Sequence, residues 1–199
     1  MADEASRVPN GDGAGALQVI ARRRSVGVVA RAAVERGLIE TVLRAGAAAP
    51  NHKNTEPWRF VVLEDGARRT LGEAHARAAA RVAAGPIDHD REVSRFERAP
   101  VVIVCICATD PTDSVRARED RDAVCAGVEN MLLAAEALGL AAMWRTGAIA
   151  QEDEVRSELG LDEDAEIVAF VYLGWPRAGR RPSAPSRRPL SQIVEWRST

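Results

Sequence analysis

The sequence predicts one domain of α+β or α/β class, built on a sheet of few strands. Two observations carry that expectation. Three apolar runs of strand length, 58–63, 100–108 and 166–173, are separated by segments whose apolar residues recur at helical spacing. Helical segments also outnumber strands, and no internal repeat interrupts the chain. A chain of 199 residues can bury a sizeable core in one domain. That domain is expected over 17–199. The stretch 1–16 is rich in Gly, Asp and Ala, lacks the apolar segment of a signal peptide, and reads as a flexible tail.

Leu17, Val19, Ile20 and Ala21 open a short helix that ends in Arg22-Arg23-Arg24-Ser25. Three consecutive arginines cannot all be buried, so most of this cluster faces water or an anion. In 35–49, Leu38, Ile39, Val42, Leu43 and Ala47 mark a second helix. It delivers the chain to Ala49-Pro50-Asn51-His52-Lys53-Asn54-Thr55-Glu56-Pro57-Trp58, which holds two prolines, two asparagines and the only lysine. The residue before each proline is biased away from helix, and Asn tolerates turn conformations, so this is a shaped polar loop. A continuous apolar strand covered on both faces follows at 58–63. An alanine-rich helix is expected over 66–84, with His75 solvated on its face and Pro86 as its breaker. The charged stretch 88–98 is either an excursion over a site or an exposed helix.

The run 100–108 (Pro-Val-Val-Ile-Val-Cys-Ile-Cys-Ala) is the strongest strand signal and belongs at the centre of a sheet. A turn-rich connector, 109–114, leads to a long helix over 118–138, striped by Val124, Val128, Met131, Leu132, Ala135 and Leu138. Gly139 stops it. A short strand at 141–147 runs out into a loop, an amphipathic helix follows at 151–159, and 166–173 is the last strand. The remainder is rich in Arg, Pro and Ser. It ends in Leu190, Ile193, Val194 and Trp196, which can dock on a partner subunit or along their own domain.

Composition excludes several functions. A formal net charge of −2 gives no basis for binding nucleic acid or a membrane surface by bulk charge. No apolar run approaches the length of a membrane span. Cys105, Cys107 and Cys125 lack disulfide or zinc spacing, and Cys105 and Cys107 share one strand face. They read as buried free thiols of a reducing cytoplasm. No strand is followed by Gly-x-Gly-x-x-Gly, and there is no phosphate-binding Gly-Lys-Ser/Thr loop, metal-spaced His/Asp/Glu cluster or Gly-x-Ser-x-Gly elbow.

Four motifs occur in one order: Arg23-Arg24-Ser25; the loop from Ala49 to Trp58; Ala142-Met143-Trp144-Arg145-Thr146-Gly147; and Tyr172-Leu173-Gly174 with a basic tail, Arg187-Arg188-Pro189-Leu190. Together they resemble the FMN-dependent nitroreductase family, in its branch of small YdjA-type NAD(P)H nitroreductases, from Leu17 to Trp196. The resemblance implies an α+β, nitroreductase-like three-layer sandwich. Its central, mainly antiparallel sheet is flanked by helices, and its C-terminal extension docks on the partner of an intertwined homodimer. Two FMN molecules would lie at the dimer interface. Arg23, Arg24 and Ser25 match the segment holding the phosphate and ribityl end, and Arg187 and Arg188 match tail cations near the phosphate. Pro50, Asn51, His52 and Asn54 match a loop reaching the flavin bound mainly by the other subunit. Trp144, Arg145, Thr146 and Gly147 match the segment against the isoalloxazine ring. Ala134, Ala135, Glu136, Ala137, Leu138 and Gly139 match a stretch assigned to nicotinamide cofactor contact; as residues they read equally well as the end of a packed helix.

The implied activity passes hydride from NADH or NADPH through the flavin to a small electron acceptor, such as a nitroaromatic or quinone, by a ping-pong scheme. The chemistry is borne by the flavin, so no side-chain acid or base is required. A narrower flavin-dependent dehydrogenase or dehalogenase, or a flavin-binding dimer without activity, are the alternatives. Three positions depart from the family pattern. Gly27 stands where a basic residue is common, Glu56 where Gln is usual before Pro-Trp, and Asn51 where Ser usually follows Ala-Pro.

Overall fold

A computed structural model describes residues 12–108 and 112–198. Four strands, β1 (Trp58–Glu64), β2 (Val101–Ala108), β3 (Ala141–Arg145) and β4 (Ala165–Gly174), form one antiparallel sheet in the order β1-β2-β4-β3. The helices are α1 (Asp12–Arg22), α2 (Arg36–Ala47), α3 (Asp65–Val82), α4 (His89–Val93), α5 (Ser114–Ala137) and α6 (Asp153–Glu158).

Residues opposite one another on antiparallel strands share a face. Trp58 and Phe60 of β1 face Cys107 and Cys105 of β2, and Val171 of β4 faces Trp144 of β3; this side packs on α2 and α5. Val102, Val104, Phe170, Tyr172 and Met143 lie on the other side, against α3, α6 and Phe96. Three layers result, with two cores. The central position expected for 100–108 is met, since β2 is buried from Val101 to Cys107. β1 is an edge strand and only half-buried, although side chains cover both of its faces. Below the sheet, α2 and α5 cross almost backbone to backbone: a Cβ on Gly127 would sit 2.8 Å from the Gly46 carbonyl oxygen.

Several expectations change. Residues 12–16, assigned above to a flexible tail, form the first turns of α1; residues 1–11 lie outside the described residues. The long helix starts at Ser114 rather than 118, because the Asp113 carboxylate accepts from the amides of Val115 and Arg116 at 3.1 and 3.0 Å. Of the expected connector 109–114, residues 109–111 lie outside the described part. The 88–98 stretch is no loosely exposed helix. It folds into α4 and a 3-10 turn, Phe96–Arg98, and drives Val93 and Phe96 fully into the core. His75, expected on a solvated face, is buried. The 151–159 helix divides into a 3-10 turn, Ala148–Gln151, and α6.

Candidate functional site

The segment after α1 covers the free edge of β3. Ser25 bridges Ala142 in parallel, the Val26 amide donates to the Ala142 carbonyl at 3.0 Å, and Val29 bridges Pro176. Arg24 closes α1 by donating from Nη1 to the carbonyls of Ala21 and Arg23 at 2.9 and 2.7 Å. Gly27 packs on Met143, whose sulfur would lie 3.0 Å from an added Cβ, so a larger residue there requires the Met143 side chain to give way.

Arg23, Arg24 and Ser25 form one wall of a cleft of about 540 Å³, and Arg187 lies on the other, with the tail from 182 to 185. Arg188 does not line it. Arg23 meets Glu129 at 3.3 Å. A neighbouring cleft of about 430 Å³ is lined by Arg22, Arg24, Glu136, Ala137, Gly139 and Arg181, among others. There Arg181 donates to the Arg22 carbonyl and to Glu136 at 2.7 Å each. The 134–139 stretch therefore divides. Glu136, Ala137 and Gly139 reach this cleft, Ala135 is fully buried, and Ala134 and Leu138 pack against the core. Beyond the cleft the tail leaves the body: Leu190, Ile193 and Trp196 are exposed, Trp196 at 91%.

The segment 144–147 presents different groups to the two sides of the sheet. The Trp144 indole packs toward α2 and α5, with its Nε1 buried and without a hydrogen-bond partner among the described residues. Arg145 lies on the other side, its guanidinium 5.8 Å from the centroid of the Tyr172 ring. Thr146 and Gly147 are exposed, and Gly147 has φ 127°.

The polar loop from Ala49 to Pro57 sits at the opposite edge, before β1. Lys53, Asn54 and Glu56 all adopt positive φ, at 55°, 52° and 46°. Left-handed backbone costs a non-glycine residue roughly 1–2 kcal/mol, so the surroundings must impose this shape. They do. Asn51 accepts from the Glu56 amide at 3.0 Å and donates to the Ala49 carbonyl at 3.4 Å. Thr55 donates to the buried Asp120 at 2.5 Å, and His52 Nδ1 meets Glu119 at 2.7 Å. Pro50, His52 and Asn54 stay exposed; so does Glu56, which has no ion pair among the described residues. Three strand spacings of about 4.8 Å separate β1 from β3, so one chain does not bring this loop against Ser25 and Gly147.

One cluster was invisible in the sequence. His75 Nδ1 lies 2.7 Å from Glu152, and its Nε2 lies 3.0 Å from Glu92, which is itself paired with Arg95. Hydrogen bonding from Arg95, with help from His75, holds the Glu92 carboxyl below its ordinary range despite burial. Burial pushes the thiols of Cys105 and Cys107 up to about 12, so neither serves as a thiolate nucleophile. Among the described residues no His/Cys/Asp/Glu group could hold a metal, and no helix is long and apolar enough to cross a membrane.

An α+β sandwich with an arginine-lined cleft beside an edge strand defines the class of protein, and comparison with known proteins identifies the family. The Nitroreductase family model matches residues 20–175, and the chain belongs to that family. It is 34% identical over 165 residues to the "Putative NAD(P)H nitroreductase YdjA" of Escherichia coli K12, covering 81% of this chain and 88% of that one. The nitroreductase-like family protein from Bacillus cereus superposes with a TM-score of 0.81 at 26% identity, over 98% of this chain and all of that one. A "putative nitroreductase in complex with FMN" from Desulfovibrio desulfuricans gives a TM-score of 0.72 at 30% identity, over 92% of this chain and 97% of that one.

Proposed function

We propose that this chain is an FMN-dependent oxidoreductase that takes hydride from NADH or NADPH and passes it to a small acceptor, such as a nitroaromatic or quinone. The observation that carries this reading is the convergence of Arg23, Arg24, Ser25 and Arg187 on one cleft beside β3. A dianionic phosphate suits that set, because guanidinium groups give paired charge-assisted bonds and Ser25 adds a hydroxyl. The flavin, when bound, supplies the hydride chemistry. The chain's own residues bind and orient. Arg23, Arg24, Ser25 and Arg187 hold the phosphate end, with Arg188 following in the tail. Trp144 to Gly147 offer backbone groups at the strand's free end, and the unpartnered Trp144 Nε1 is a donor in reserve.

The second half of the site comes, in this reading, from a second copy. Pro50, His52 and Asn54 are exposed on the edge remote from the cleft, and half-buried Asn51 shapes the loop, as suits a loop that completes the site of a homodimer partner. The exposed tail with Leu190, Ile193 and Trp196 would dock on that partner. Of the 134–139 stretch, Glu136, Ala137 and Gly139, which line the neighbouring cleft, would meet the nicotinamide donor in this reading. Donor and acceptor would use the site in turn. Free thiols at Cys105, Cys107 and Cys125 suit a reducing cytoplasm.

The test is the visible spectrum of the purified protein with added FMN, followed by anaerobic NADH or NADPH. A bound flavin spectrum that bleaches is expected; a protein that takes up no FMN sinks the reading. Replacing Arg23 and Arg24 together by Ala should weaken FMN binding by about 3 kcal/mol or more, since bonds to charged groups contribute roughly 1.5–3 kcal/mol each. Unchanged affinity in a fluorescence titration would remove both arginines from the phosphate site.

A further inference from the structure

Behind the 145–147 segment lies a second cavity, of about 240 Å³, between β3, β4 and α3. It falls below the roughly 300–1,000 Å³ of sites for drug-sized ligands, so it suits one small ring rather than a flavin. Its walls are of two kinds. Phe170, Ile149 and the ring of Tyr172 are apolar, while Arg145, Thr146 and Arg95 bring polar groups to the same space.

His75 and Glu152 line the cavity as well, and its charged groups are unequally partnered. Glu92 is paired with Arg95. Glu152 and Glu92 each face one ring nitrogen of His75. Both carboxylates are thus engaged by partners inside the cluster. Arg145 remains over, since no carboxylate pairs with it among the described residues. Its guanidinium lies near the Tyr172 ring, and a stacked guanidinium keeps its in-plane N–H groups for a planar anion. Tyr172 senses the same field: burial pushes its hydroxyl up, while Arg145, Arg98 and Arg95 oppose that shift.

We propose that this cavity is a binding site for a small planar carboxylate, with Arg145 holding the carboxylate and Tyr172, Phe170 and Ile149 holding the ring or unsaturated chain. Thr146 and the Tyr172 hydroxyl supply the neutral donors. Taken with the proposed function, on which this second step rests, the site names the acceptor class: an electron acceptor that carries a carboxylate.

Two measurements separate the site from the function. The first is calorimetric titration of the FMN-loaded protein with benzoate and with benzamide, which share a shape and differ in charge. Benzoate should bind at least tenfold more tightly. Arg145→Gln should abolish that preference, and Tyr172→Phe, which keeps the ring, should weaken benzoate several-fold. Equal binding of the two probes to the unaltered protein, or an undiminished preference in Arg145→Gln, overturns the site. FMN affinity is measured for each variant, because Arg145 also belongs to the segment assigned to the flavin. The second is turnover with 4-nitrobenzoate against nitrobenzene. A higher kcat/KM for 4-nitrobenzoate, lost in Arg145→Gln, is expected; a preference for nitrobenzene overturns the acceptor class. A protein that reduces neither has failed the proposed function, and the benzoate titration still decides the site.

Discussion

Between the sheet and α5 the fully buried side chains are aliphatic, thioether and thiol groups, among them Cys105, Cys107, Val124, Val128 and Met131, with Trp58, Phe60 and Trp144 only partly buried around them. Between the sheet and α3 the packing is aromatic and then ionic. Phe96 meets Phe170 edge-on at 5.4 Å and stacks on Tyr172 at 6.5 Å, and His75 stands edge-on to Phe96 at 6.3 Å. The first core buries a smooth helix stripe and needs no direction. The second ties charged partners from α3, α4 and the turn before α6 to the strand end that carries Arg145. A face of the first kind gives stability; a face of the second kind also fixes where polar groups point.

Large-to-small changes test that difference most severely. Phe96→Ala should cost about 3–5 kcal/mol, and Met131→Ala on the opposite face about 2–5 kcal/mol, both read from urea unfolding. The contrast holds if the Phe96 variant also disturbs benzoate binding while the Met131 variant, equally destabilised, does not. A smaller effect is expected from His75→Ala, about 2 kcal/mol, because two largely buried carboxylates lose the ring that both contact. Adding Glu152→Gln to that variant should recover part of the loss; no recovery would mean the cluster is held by shape rather than charge.

Acidification gives a gentler probe. The folded Glu92 carboxyl titrates below its ordinary value of 4.5. Its contribution is therefore complete above that value and disappears as the pH falls through the depressed one. Unfolding free energy should decline over that interval, and Glu92→Gln should flatten the decline. The smallest effect expected is none at all: Cys105 and Cys107 should resist a thiol reagent at neutral pH until the protein unfolds, while half-buried Cys125 reacts sooner. Rapid labelling of Cys105 in the folded protein would show that the first core opens.

These two cores were not equally legible. The stripe Val124, Val128, Met131, Leu132, Ala135 and Leu138 repeats at helical spacing, and all but the half-buried Leu138 are buried. The run 101–107 is apolar without a break and became the buried strand it resembles. His75 carried no such signal. It sits in an alanine-rich helix, and its partners lie 17 and 77 residues away, so no local pattern connects them. The start of α5 was misplaced for a related reason: Asp113 sets it by capping, so that it begins at Ser114, ten residues before the apolar stripe opens at Val124. Of the candidate site, Arg23, Arg24 and Ser25 stood out as charge beside a hydroxyl, Arg187 came only through the family resemblance, and the four line one cleft. The separation of 50–54 from that cleft depends on strand order, which a list of strands does not contain.

That strand order has a kinetic consequence. Every pair in the sheet is antiparallel, yet none is a hairpin: α3 and α4 intervene between β1 and β2, α5 and β3 between β2 and β4, and α6 between β3 and β4. Each ladder closes a long loop before its hydrogen bonds offset the lost chain entropy. Helical structure should thus precede the sheet during refolding. In stopped-flow experiments, far-ultraviolet circular dichroism should recover ahead of the burial of Trp58 and Trp144 seen by fluorescence; simultaneous recovery would place strand pairing at the earliest step.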